Sequence, residues 1–159
     1  MGEIAAIVLL VLLGLLLVSA GIEDARKREI ANWKNAAIAL LAVPFWIANG
    51  LTLWPDIAAQ IGIALVVFAL FAAAFHFGMM GGGDVKMIAA LALWFPFTQL
   101  LTMLIVMSLA GGAITLLMLI DKSIRRQTAQ PEVPYGIAIA IAALLMLREP
   151  IFYHFHVIA

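Results

Sequence analysis

Two aspartates and a run of glycines are the residues of this sequence whose types and spacing can do chemistry. Asp84 follows Gly81-Gly82-Gly83 and leads directly into the apolar stretch 85–94, with Lys86 as its only near charge. A carboxylate so placed is costly: insertion scales put Asp inside a membrane at roughly 2.5–3.5 kcal/mol, and such groups face a protein interior and work there. Asp24 closes an earlier apolar stretch, residues 4–22. Two whole apolar stretches separate the aspartates, so the chain returns to the same side and both carboxylates belong to one interface. Facing carboxylates about 3 Å apart hold a single proton between them. The ionised member can take a proton from a trapped water that attacks a peptide carbonyl. The protonated member can stabilise the oxyanion and protonate the leaving amine. That is peptide hydrolysis needing no metal, cofactor or thiol. Glycines ahead of Asp84 would let an extended peptide approach closely and would tolerate a helix break where protein or water covers it.

The elements that must position these residues are membrane helices. Of 159 residues, 66% are hydrophobic and 11% charged, with a mean hydropathy of +1.15; an ordinary soluble domain is about 25% charged. Nine basic and nine acidic residues cancel, which gives no pointer to nucleic acid, and the absence of cysteine excludes disulfides and thiol catalysis. At about 20 residues per crossing, the length holds roughly six spans and no separate soluble domain. The expectation is an all-α, polytopic membrane protein, one domain over residues 1–159.

Charge-free stretches place the spans at residues 4–22, 35–55, 57–77, from Asp84 to a turn at Trp94-Phe95-Pro96-Phe97, 99–120, and 135–147. Trp54-Pro55-Asp56 reads as an interfacial turn, residues 121–134 as a polar loop, and Arg148-Glu149-Pro150 as an interruption through which the last segment can continue. With six spans, Arg26, Lys27, Arg28, Lys34, Lys86, Lys122, Arg125 and Arg126 share a side, and Arg148 alone falls on the other. The positive-inside rule makes the shared side cytoplasmic, so the protein is expected as a multi-pass component of the cytoplasmic (inner) membrane with its active face inward. Glu3, Asp56, Asp121, Glu132 and Glu149 read as solvated cap or loop charges, and His76, His154 and His156 as interfacial rather than metal-ligating. Gly111-Gly112 reads as close helix packing.

The same residues carry a family resemblance. Gly81-Gly82-Gly83-Asp84 fits the Gly-x-Gly-Asp motif of intramembrane aspartyl proteases, and Val85-Lys86 resembles its prepilin peptidase branch. Residues 24–32, Asp-Ala-Arg-Lys-Arg-Glu-Ile-Ala-Asn, are similar to that branch's first aspartate with its basic stretch and Ile-Pro-Asn element, Ala31 standing for the usual proline. Val133-Pro134-Tyr135-Gly136 resembles the family's Pro-Tyr-Gly opening of the last helix. The resemblance implies a type IV prepilin peptidase that removes a basic leader from pilin-like precursors, usually after a glycine just before the pilin's apolar helix. It implies catalytic roles for Asp24 and Asp84 and supporting or substrate-binding roles for Gly81, Gly83, Lys86, Asn32, Tyr135 and Gly136. The short gap after Lys27 implies the short form typical of tight-adherence (Flp) systems, or an archaeal preflagellin-type relative, without the methyltransferase region of larger members. The expected partners are a prepilin-type peptide and the lipid bilayer.

Glu23 is the rival carboxylate beside Asp24; spacing to Ile30 and Asn32 favours Asp24. A reading of another class is a small transporter or pilus-assembly component using Asp84 as an ion or proton site. Such a carrier needs one intramembrane carboxylate, whereas hydrolysis needs two.

Overall fold

The computed structural model describes residues 2–125 and 135–158. They form α1 (Gly2–Lys27), α2 (Asn32–Ala48), α3 (Ala58–His76), α4 (Gly82–Ala92), α5 (Phe97–Arg125) and α6 (Tyr135–Ile158). No strand occurs among the described residues. This is an all-α, polytopic membrane protein. Three segments are long and apolar enough to cross a bilayer: Gly2–Lys27, Leu53–His76 and Phe97–Asp121. α2 has 17 residues and α4 only 11.

α1 shows how composition becomes position. Its inward residues are Ala6, Leu10, Leu13, Leu17, Ala20 and Asp24, alternating steps of four and three that keep one stripe on one face. Asp24 is the last member of that apolar stripe. The helix closes just beyond it: the Arg28 N–H donates to the Asp24 carbonyl at 2.9 Å, and Arg28 takes the left-handed conformation, φ 58°, that ends many helices. Four residues, 28–31, then reach α2.

α1 packs on α6 and α2, α5 on α6, and α3 on α4. The short α4 is the centre of the bundle, touching α2, α3 and α6. Asp84, Val85, Met87, Ile88, Ala90, Leu91 and Ala92 are all buried, as befits a helix apolar nearly all round. Its far end turns sharply into α5, and the carbonyls released there are met by side chains. Gln60 Nε2 donates to the Ala92 and Phe95 carbonyls (2.8 and 2.6 Å), and Trp46 Nε1 to that of Leu93 (2.8 Å). The buried Trp94 Nε1 donates back to the Ile38 carbonyl of α2, also at 2.8 Å. Non-helical backbone survives away from water only when satisfied in this way.

α2 ends at Ala48, ahead of the expected residue 55. Trp54-Pro55-Asp56 forms a turn ahead of α3, in which Trp54 has extended backbone, φ −134° and ψ 127°, and Asp56 Oδ2 accepts from the Thr52 N–H and Oγ1 (2.9 and 2.8 Å). α5 runs on through Asp121 to Arg125 instead of ending at Ile120. As the sequence allowed, α6 continues through Arg148-Glu149-Pro150 to Ile158; Pro150 removes one helical hydrogen bond, but the apolar run beyond it carries the helix on. Arg126, Glu132 and Val133-Pro134 lie outside the described residues, as do the side chains of Lys122, Arg125, Glu149, His154 and His156.

Candidate active site

Asp24 leaves the last turn of α1 and meets the first turn of α6. Its Oδ2 accepts from the Ile137 N–H at 3.2 Å, and the Gly136 N–H also donates to this carboxylate. First-turn N–H groups have no partner within their own helix, and the positive end of the helix dipole favours an anion there. The approach depends on Gly136. A β-carbon at that position would stand 2.8 Å from both Cγ and Oδ2 of Asp24.

Asp84 is the third residue of α4 and folds back over the start of its own helix, where the Gly81 N–H donates to its carboxylate. This is the acidic half of a capping box. Gly81 has ordinary extended backbone, φ −74° and ψ 144°, so glycine is not needed there for conformation. It is needed for room: a β-carbon would lie 2.9 Å from Asp84 Oδ2. Asp24 is 4% exposed and Asp84 8%, and they are close enough for the charge of Asp24 to act on Asp84. The fold thus brings together the two acids, one from the end of α1 and one from the start of α4.

The other expected residues fall around them. Gly83 faces Ile30, whose Cβ would be 3.4 Å from a β-carbon added there; Ile30 Cδ1 also comes within 2.8 Å of the corresponding point on Gly136. Ile30 is therefore a buried apolar wedge between the starts of α4 and α6. Ala31 holds φ −60° and ψ 131°, values that a proline adopts, so the alanine leaves the backbone path of the loop in a proline-like form. Asn32 accepts from Lys86 Nζ at 2.8 Å. Lys86 is two residues from Asp84, about 200° around the helix, and is tied to α2 instead of to the aspartate. Tyr135 packs its ring on Gly111 of α5, where a β-carbon would meet Cε1 at 3.0 Å; the close packing read from Gly111 has this ring as its partner. Asn35, not singled out from sequence, donates from Nδ2 to the Gly83 carbonyl at 3.1 Å and steadies the glycine turn.

The larger omission is a pair. Lys34 counts from sequence as one more juxtamembrane basic residue, yet it is buried, with Nζ 2.8 Å from Glu23 Oε2 and 3.0 Å from the Ser19 carbonyl. The available signal was the short α1–α2 connection, which sets positions one turn before it opposite positions one turn after it. His76 stands at the end of α3 with its ring edge-on to Phe77, centroids 5.6 Å apart. Among the described residues no group of three His, Asp or Glu side chains is arranged to hold a metal ion.

Two buried acids at the ends of separate helices in a membrane protein are groups placed to do acid–base chemistry. The type IV leader peptidase family matches residues 10–116, two thirds of the chain, and the chain belongs to that family and is a peptidase. The match takes in both Asp24 and Asp84 and stops before α6. No curated protein and no solved structure matches the chain.

Proposed function

We propose that the protein is an aspartic-type endopeptidase that removes the basic leader from prepilin-like precursors at the cytoplasmic face of the inner membrane, in the short form that lacks a methyltransferase region. The observation that carries this reading is the shared burial of Asp24 and Asp84 at the starts of α6 and α4, two helix starts that Ile30 joins. The acids are remote in sequence and borne by different helices, and both are buried within electrostatic reach of each other. A single buried carboxylate would serve an ion carrier; two neighbouring ones suit water activation.

In this mechanism one aspartate is ionised and the other protonated. The ionised carboxylate removes a proton from a water lying between them as its oxygen attacks the scissile carbonyl. The protonated one donates to the carbonyl oxygen, giving a neutral gem-diol. Collapse of that intermediate breaks the C–N bond: the leaving amine takes a proton from the acid that first acted as base, and the diol returns one to its partner. Each proton is returned, so no cofactor enters the balance. Asp24 and Asp84 titrate as a unit, and the acid and base roles belong to the pair. The backbone N–H groups of Gly136 and Ile137 fix the Asp24 carboxylate, that of Gly81 fixes Asp84, and fixed geometry is what such a reaction needs. Support for the cytoplasmic face comes from the basic residues, which gather at the ends of the segments carrying both acids.

Co-expression with a candidate prepilin, scored for a leader-sized mobility shift, tests the proposal. Wild-type protein is expected to produce the shift and the Asp24→Asn and Asp84→Asn proteins to produce none. Full cleavage by either variant would remove the dyad.

A further inference from the structure

We infer that the Glu23–Lys34 ion pair is a positioning device for Asp24, setting the rotation of the last turn of α1 so that this aspartate seats on the start of α6, on the side where Asp84 is buried. The inference rests on the dyad proposed above and adds a part that the dyad does not by itself require.

Lys34 lies inside the protein, its side chain 8% exposed, where a leucine would pack without the penalty of burying a charge. It grips α1 at two points one turn apart: the Glu23 carboxylate at 2.8 Å and the Ser19 carbonyl at 3.0 Å. Two attachments along one helix fix both its rotation and its axial register against α2. Glu23 Oε2 also takes the Ala31 N–H at 3.4 Å, which ties the same point to the N-terminal end of α2. On the outer side Glu23 Oε1 stands 3.6 Å from the exposed Lys27. Consecutive residues on a helix point about 100° apart. With Glu23 held against α2, Asp24 is turned toward α6 and α4.

The setting has little slack. Asp24 lies over Gly136 at a separation that excludes a β-carbon. A 10° rotation of the α1 turn would carry a group about 5–6 Å from the helix axis by about 1 Å, and a misplacement of about 1 Å can cost about 100-fold in rate. The Lys34 ammonium is engaged by Glu23 and the Ser19 carbonyl, and not by either aspartate. Its effect therefore runs through Glu23 and the helix.

The test replaces the pair with a size-matched apolar one, Glu23→Leu/Lys34→Leu, which leaves no orphan charge to unfold the protein. The probe is a synthetic peptide with a short basic leader, a glycine and a pilin-like apolar helix, presented to purified protein in lipid vesicles. The variant is expected to accumulate normally and keep KM within about threefold while kcat falls about 10- to 100-fold, the pattern of lost alignment rather than lost binding. Wild-type kcat in the double variant would overturn the inference.

A second readout needs no activity. Asp24→Cys gives the chain a single thiol, shielded while α1 is held. Its labelling by N-ethylmaleimide is expected to quicken at least about fivefold when Glu23→Leu/Lys34→Leu is added, or Glu23→Gln should the double variant fail to accumulate. An unchanged labelling rate overturns the positioning role. Peptide cleavage by Asp24→Asn would instead defeat the dyad and leave the thiol result to decide the clamp.

Discussion

The Asp24 carboxylate rests directly on Gly136, with no space for a β-carbon: Cγ and Oδ2 would each lie 2.8 Å from it. Gly136→Ala must therefore displace either α6 or both the aspartate and Ile30, whose Cδ1 stands at the same 2.8 Å. Gly83→Ala meets only Ile30 at an ordinary 3.4 Å. Precursor cleavage is expected to fall at least about 100-fold in Gly136→Ala and by less than about tenfold in Gly83→Ala, measured by gel shift at matched protein levels.

Gly81→Ala separates space from backbone shape. The main chain there accepts any residue, so the variant should fold, but the new methyl would meet Asp84 Oδ2 at 2.9 Å. Cleavage is expected to drop about tenfold or more without a change in thermal stability. Wild-type rates would mean that Asp84 can move without consequence.

Loss of both dyad members should cost no more than loss of one. Each Asp→Asn substitution removes an acid–base function worth about 10²–10⁴-fold, and parts that act as a unit are not additive. Single-turnover cleavage by Asp24→Asn, Asp84→Asn and the double variant should give three residual rates within about threefold.

Gln60 is far from the aspartates in function but not in consequence for the fold. Its amide serves two carbonyls of the α4–α5 turn, at 2.8 and 2.6 Å. Gln60→Leu strands both, and is expected to destabilise the protein by about 1–3 kcal/mol, seen as a lower midpoint in a detergent melt. An unchanged midpoint would mean that the turn does not depend on them.

The sequence contains no cysteine, so a single introduced one reports its own side of the membrane. Arg28 and Asp56 are both exposed. Arg28→Cys should be shielded from an impermeant thiol reagent in intact cells and react once they are opened, whereas Asp56→Cys should react at once. The reverse pattern would place the aspartates on the outer face.

Much of this arrangement was legible in the sequence because the residues that matter break a strong background. Asp24 continues an apolar stripe in step with Leu17 and Ala20, and Asp84 interrupts an apolar run after three glycines; an acid in such a place has few explanations. Lys34 was not legible. A lysine near the end of a span looks the same whether it snorkels to water or turns inward to Glu23, and only the α1–α2 pairing decides between them. Lys86, two positions from Asp84 along the chain, stands on the far face of α4 and bonds to Asn32, a placement that only the contact between α2 and α4 decides. Gly136 was visible as part of a motif, but its physical reason, the carboxylate lying on it, belongs to the contact between α1 and α6.

The brevity of α4 bears on how the protein meets membranes of different thickness. Eleven residues rise about 16 Å, roughly half of a hydrocarbon core about 30 Å deep. Beyond α4 the chain turns into α5, and that turn is braced by Trp46, Gln60 and Trp94. Lipid mismatch acts on helices that contact lipid along their full length and is absorbed by tilt; α1, α3 and α5 are of that kind, with most of each spanning window unburied. α4 is shielded by its neighbours, so the depth of Asp84 is set by protein packing and not by the surrounding acyl chains. Vesicles of short-chain and long-chain phosphatidylcholine should then support similar cleavage rates, the thickness change appearing in the tilt of the outer helices.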